Sequence, residues 1–410
     1  MLPSHHRISA QFSSRRVDWL DICATGVSVM GQFHFRRFTP SRPEQIRKTL
    51  ITLLAITLFS TPALAEDKET FAYQESDVMP KIPIGENQQE YRTLAGASLQ
   101  FWAVPLLGED ALLENGDVAN APGFRIRRAR IGVIGFYPHN VSLELTIDPL
   151  DADHLLHDAH VNFQPMDELG LVLGVAKVPY SRYQLDSSSK LKFYDRPFGT
   201  GEVAIGHRVG AALQGAIAEG MLSYVAGVYN ASDSVGKGNM SEGILYGGRL
   251  ESAPLGTLAQ LTPAEFRLRI GGGAIFEDGA TQDTLAYSGD LTIEGYGVQL
   301  RGEYLHDTRS PDEEPALPQT LTAEIERSSI VGELSGFVLK DRLELAFRYE
   351  TYDSNSGVED FGDTELFVGG INGYFFGHGL KAILNYIHRN ETESTKMDND
   401  ALILAVGGSI

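Results

Sequence analysis

The chain has 410 residues, a formal charge of −20, a single cysteine (Cys23), 43 glycines and 21% charged residues. One cysteine excludes a disulfide framework and any cysteine-ligated zinc or iron–sulfur centre, and the acidic balance argues against a nucleic-acid binder, which needs clustered positive charge. No run of 18 apolar residues exists, so a helical membrane protein is excluded too.

From the N-terminus, residues 1–44 show no clean period, with Arg15, Arg16, Arg36 and Arg37 among scattered apolar residues. They read as an extension produced by a start site placed too early. Residues 45–65 read as a secretory signal. Arg47 and Lys48 form its positive end, Thr49 to Ser60 its apolar stretch, and Ala63-Leu64-Ala65 a small-x-small cleavage site. Cleavage after Ala65 leaves a cysteine-free chain of 345 residues, with 51 acids against 26 bases and a net charge of −25. Residues 66–90 are polar, contain Pro80 and Pro83, and read as an exported linker before the first strand.

From about Thr93 onward a two-residue alternation replaces any helical period. In Val141-Ser142-Leu143-Glu144-Leu145-Thr146-Ile147-Asp148 every odd position is apolar and every even one polar. Sixteen such segments are expected: 94–103, 126–136, 140–148, 157–165, 168–178, 206–218, 221–229, 243–253, 265–276, 284–294, 295–306, 328–338, 341–352, 364–375, 379–389 and 400–410. Connections after odd-numbered segments are mostly long and those after even-numbered ones mostly tight, with 254–264 the long exception. An even strand count with loops on one side and turns on the other describes an all-β, up-and-down antiparallel transmembrane barrel of the bacterial outer membrane. Lipid tolerates no open sheet edge, so the barrel closes, with apolar positions facing lipid and polar ones lining a lumen.

Parity then sorts the charged residues. The densest basic cluster is Arg125, Arg127, Arg128 and Arg130. With Ala129, Ile131 and Val133 facing lipid, Arg128 and Arg130 point inward, and Arg125 and Arg127 belong to the loop above. Arg267, Arg269, Arg301, Arg348 and Arg208 are also placed on the lumen side. Lys177 shares parity with lipid-facing positions and turns inward only through a bulge or a strand end. Inward carboxylates are Glu144, Asp148, Glu294, Glu303, Glu333, Glu344 and Glu350, and Arg301 and Arg348 are expected to pair with those beside them. An arginine fork suits phosphate or carboxylate oxygens, whereas mutual neutralisation of lumen charges is the competing reading for every one of these residues.

Several stretches resemble the phosphate-selective porin O and P family. Phe124 to Gly132 is similar to its arginine-rich second strand, and Gly174-Val175-Ala176-Lys177-Val178-Pro179-Tyr180 to its G-x-F-K-V-P-F stretch, with Ala176 in the aromatic's place. Tyr194-Asp195-Arg196, then Gly206-His207-Arg208-Val209-Gly210, Gly302-Glu303-Tyr304, and Leu380 to Tyr386 follow in the family's order. The chain departs from it in ending on Ile410 instead of Phe and in its strong acidity. The resemblance implies a homotrimer, a preference for anions, and a third extracellular loop folded into the lumen as a constriction. That loop is 179–205, carrying Arg182, Lys190, Lys192 and Arg196 against Asp186, Asp195 and Glu202.

Histidines three apart in Asp151-Ala152-Asp153-His154-Leu155-Leu156-His157-Asp158-Ala159-His160 raise a metal site, but that spacing does not converge side chains outside a helix. The stretch reads as a polar loop, and no metal or cofactor is expected. Acidic Asp312-Glu313-Glu314 and Glu359-Asp360 read as solvated loops, with calcium bridging to lipopolysaccharide as the alternative; outer-membrane lipid and lipopolysaccharide are the barrel's expected surroundings. No G-x-S-x-G, H-E-x-x-H or P-loop occurs. The expected function is therefore an outer-membrane porin for passive diffusion of small hydrophilic solutes, preferring phosphate-like anions. A general or cation-preferring porin, or an outer-membrane barrel enzyme or adhesin, are the alternatives.

Overall fold

Polar and apolar residues alternate so regularly after Tyr91 that each segment has one face for water and one for lipid, and only a closed sheet can use both. The computed structural model describes residues 74–77, 82–87 and 91–410, apart from 109–121, 139, 152–153, 233–234, 236–237, 240–242, 256–264, 280, 312–320, 322, 359–361 and 392–398. The signal at 45–65, the extension 1–44 and the acidic loops at 312–314 and 359–360 lie outside the described residues.

A short strand β1 (Ile82–Asn87) precedes sixteen long ones. These are β2 (Tyr91–Leu107), β3 (Gly123–Tyr137), β4 (Val141–Ile147), β5 (Leu156–Met166), β6 (Leu169–Lys177), β7 (His207–Ile217), β8 (Leu222–Asn230) and β9 (Ile244–Ser252). Then come β10 (Arg267–Asp278), β11 (Gln282–Gly295), β12 (Val298–Pro311), β13 (Ile325–Leu339), β14 (Leu343–Asp353), β15 (Thr364–Tyr374), β16 (Leu380–Glu391) and β17 (Ala401–Ser409). Each pairs antiparallel with the next, and β17 pairs with β2, so the sheet closes at sixteen strands. β1 pairs with Tyr91–Ala95 of β2, so part of the segment read as a linker is strand.

The alternation has its expected meaning. On β14, Glu344, Arg348 and Glu350 are buried while Leu345 and Phe347 are exposed to the lipid side. All seven carboxylates placed inside by parity are buried. Tight turns join β3–β4, β5–β6, β7–β8, β11–β12, β13–β14 and β15–β16. At the β11–β12 turn both Tyr296 and Gly297 have positive φ, 53° and 82°, the type I′ geometry that matches strand twist. On the opposite side the connections are long, except between β10 and β11.

The inner wall is not polar throughout. Trp102, Val104, Ile383, Ile403 and Ala405 form one buried apolar patch, and Val172, Ala212, Val225, Leu245, Ile275 and Leu305 another. Both are covered by residues of the 178–206 connection: Phe193 and Tyr194 on the first, Val178, Tyr180, Leu185 and Val203 on the second.

Candidate functional site

The 178–206 connection lies inside the barrel and is bonded to strands all round it. It contains α1 (Arg182–Leu185), a 3-10 turn (Ser188–Lys190) and α2 (Phe198–Val203). Ser181 caps α1, its hydroxyl accepting from Gln184 N at 3.2 Å and donating to Glu303 of β12 at 2.8 Å. Fully buried Tyr180 donates to the carbonyl of Tyr287 at 2.9 Å, and Arg249 donates to the Tyr180 carbonyl at 3.1 Å. On the far side Lys192 Nζ reaches Glu344 at 2.7 Å, Tyr194 N reaches Asn385 at 2.7 Å, and Arg348 donates to the Asp195 carbonyl at 2.9 Å.

The arginine cluster sits against this loop, and a β-bulge explains why so many of its members do. In the β2–β3 ladder Gln100 pairs with Arg128 but Phe101 pairs with Ile126, which leaves Arg127 as an extra residue. A bulge adds one residue without a partner and shifts the pattern of faces. Arg125 therefore lies opposite buried Trp102, Phe124 and Ile126 face lipid, and Arg127 turns inward over the Trp102 ring at 5.7 Å. Arg125 and Arg127 accordingly belong to the strand and its inner face, not to the loop above it.

Asp195 is the hub. Arg127 reaches its carboxylate at 2.9 Å and Arg128 binds the other oxygen. Arg130 is shared by Asp148 and Asp77, each at 2.9 Å. Arg196 donates to the carbonyls of Tyr183 and Asp186 at 2.9 and 2.8 Å.

Further inside, Arg182 pairs with Asp186 and, at 3.4 Å, with Glu251. Arg301 pairs with Asp186 at 2.6 Å, not with its strand neighbour Glu303, which is occupied by the start of α1. Burial alone would raise the Asp186 carboxyl, but Arg182, Arg301 and Arg269 hold it well below the usual range. Arg348 pairs with Glu350 at 2.5 Å and with Glu333 at 3.7 Å, as expected from parity. Arg269 donates to Thr292 at 3.2 Å, Arg267 lies 3.8 Å from Glu265 at the turn end, and Arg208 sits opposite buried Ala176 on β7.

Lys177 does turn inward. Between lipid-facing Leu173 and Lys177 the chain passes through Gly174 at φ +129°, where a Cβ would stand 2.2 Å from the Ala159 carbonyl. Lys177 Nζ ends 3.6 Å from Asp77. Asp77 belongs to residues 74–77, a piece of the supposed linker that runs under the loop. Glu75 N donates to the Leu185 carbonyl at 3.1 Å, Glu75 accepts from Lys190 at 2.9 Å, and Asp77 accepts from Ser188 N at 2.6 Å. Burial opposes charge on Asp77, yet Lys177, Arg130 and His157 keep its carboxyl well below the ordinary range.

Two cavities flank the loop. The one toward the long loops, about 210 Å³, is lined, among the described residues, by Arg127, Arg128, Arg196 and Arg389 against a single carboxylate, Asp195. The one toward the short turns, about 390 Å³, is lined by Lys190, Lys192, Arg269, Arg301 and Arg348 against Glu75, Asp186, Asp195, Glu294, Glu333 and Glu344. Sequence reading missed Arg389, Arg249 (paired with Asp290) and Arg327 (paired with Asp307). The same parity rule applied to β9, β13 and β16 would have flagged them.

A closed sixteen-stranded barrel with a charged lumen crossed by an inward loop has the architecture of outer-membrane porins. The family model described as phosphate-selective porin O and P matches residues 109–270. The fold is similar to an anion-selective porin from Comamonas acidovorans (12% identity, TM-score 0.56, covering 78% of this chain and 100% of that one). It is also similar to OmpT of Vibrio cholerae (11% identity, TM-score 0.53, 79% and 99% covered), which is likewise solved in a trimer form (11% identity, TM-score 0.52, 78% and 99% covered). No curated protein sequence matches the chain.

Proposed function

We propose that this porin passes small anions by passive diffusion, phosphate-like oxyanions preferentially, with the 178–206 loop as its constriction. The observation that carries this is the loop-side cavity, where four arginines surround one carboxylate in a chain that is acidic overall. An oxyanion entering there would exchange part of its hydration for guanidinium N–H groups, which donate in a planar fork that matches its oxygens. The family match and the anion-selective porin with the same fold support the reading. Export through the 45–65 segment, with cleavage after Ala65, and assembly as a homotrimer complete it; the trimeric form of OmpT supports the second.

A weakly selective porin is the rival, favoured by one observation: Arg128, Arg130, Arg182, Arg301 and Arg348 all have carboxylate partners. The reversal potential of residues 66–410 in a planar bilayer under a salt gradient separates the two. Anion selectivity that collapses in Arg127→Ala/Arg128→Ala/Arg196→Ala supports the proposal. Cation selectivity in the unaltered chain overturns it, and absence of any steady conductance would point to a barrel with another task.

A further inference from the structure

A second constellation lies behind the loop, on the wall formed by β5, β6 and β7. Asp77, His157, Asp158 and His207 each offer a ligand atom, and the four atoms lie within 4.8 Å of one another. A bulge brings two of them together. In the β4–β5 ladder Ile147 pairs with Leu156 but Thr146 pairs with Asp158, which leaves His157 as the extra residue. Consecutive strand residues normally face opposite ways, yet His157 and Asp158 both point into the barrel. His207 begins β7, and Asp77 arrives from the N-terminal segment, so the set joins three separate stretches of chain.

We propose that these four residues bind one divalent transition-metal ion, zinc being the type case. Two imidazoles and two carboxylates are a ligand set that zinc accepts in tetrahedral geometry. Ligand bonds of about 2.1 Å place tetrahedral donors about 3.4 Å apart. One edge already lies at that value, His207 Nε2 to Asp158 Oδ1 at 3.3 Å; His157 Nε2 and Asp77 Oδ2, hydrogen-bonded at 2.7 Å, would part by about 0.7 Å to admit the ion. The two rings lie 4.1 Å apart. His207 Nε2 is buried and makes no hydrogen bond despite its nearness to Asp158, an orientation that a bridging cation would satisfy.

The surroundings also suit a metal. Gln74 donates to Asp158 at 3.1 Å, an outer-shell bond of the kind that fixes a ligating carboxylate. The charged groups facing the site are Arg130 and Lys177 on Asp77, Arg196 at 3.9 Å from it, Asp148 on Arg130, and Glu144 beside His160. Counting the two ligand carboxylates, four acids face three bases, a formal balance of −1 before the ion binds. The three histidines of the 151–160 stretch do not converge, as their spacing indicated; His154 stays exposed near Asp151. The ion would staple the 74–77 segment to the wall, and with it the underside of the loop.

Equilibrium dialysis of the refolded chain against Zn2+, followed by metal analysis, tests the proposal without reference to transport. One ion per chain is expected, bound more than about tenfold more weakly in His157→Ala and in His207→Ala and unchanged in His154→Ala. No saturable binding, or equal binding in the two site variants, overturns it. Should either variant fail to fold, the visible spectrum of Co2+ in the unaltered chain decides. The intense bands of a four-coordinate ion support the site, and the weak bands of a hexa-aquo ion refute it.

Discussion

The two cavities on either side of the loop are built from the same residue types and differ in balance. Toward the long loops, the described lining is four arginines and Asp195, which binds two of them; toward the short turns, five bases meet six acids. The difference comes from where strand geometry places charge. In the loop-side cluster a bulge stacks Arg127 and Arg128 on one face, whereas the turn-side strand residues keep regular register, Arg301 opposite Glu333 and Arg348 beside Glu350.

Four experiments break or sharpen this contrast. The largest effect is expected from Asp195→Asn, which removes the one carboxylate that the described residues bring to the loop-side cavity. Anion selectivity should rise in the reversal potential, while Glu294→Gln at the turn side should move it little. Next, Arg348→Ala strips a fully buried guanidinium from Glu350 and leaves that carboxylate unpaired, a change that costs about 3–5 kcal/mol. Barrel unfolding in denaturant should show it.

Acid provides the third. Asp77 and Asp186 have carboxyls depressed below their unfolded value, so their contribution is complete above about pH 4 and is lost only as pH falls through the depressed folded values. Their share of the stability against unfolding in denaturant should hold from pH 7 to about 4 and be lost only in stronger acid. Asp77→Asn should bring that loss to neutral pH. The smallest effect is expected at the turn-side mouth, where Arg267 pairs with a largely exposed Glu265. Arg267→Ala should alter stability by less than about 1 kcal/mol.

The barrel was legible because a two-residue period repeated sixteen times leaves a strong trace in sequence. The inward arginines and carboxylates followed from the same rule. Its failures have one physical origin: parity assumes an unbroken ladder. A bulge at Arg127 or His157 has no compositional mark, and the turn at Gly174 that brings Lys177 inside shows only as one glycine among many. Residues 74–77 lack any period, so their seat beneath the loop was invisible. The apolar inner patches at Trp102 and Ile403 were hidden as well, because an inward apolar residue and a lipid-facing one are written in the same letters.

The bulges carry a further consequence for how such a wall changes over time. A strand cannot ordinarily gain or lose one residue, since every side chain beyond the change would swap lipid for water. At the midplane a stranded arginine costs about 2–4 kcal/mol. At Arg127 and His157 the extra residue faces no residue of the neighbouring strand, so deleting it restores a plain ladder with Phe124 and Ile126 still outward and Arg125 still inward. These two positions are slots where single-residue insertion or deletion adds or subtracts one lumen side chain and leaves the rest of the barrel in frame.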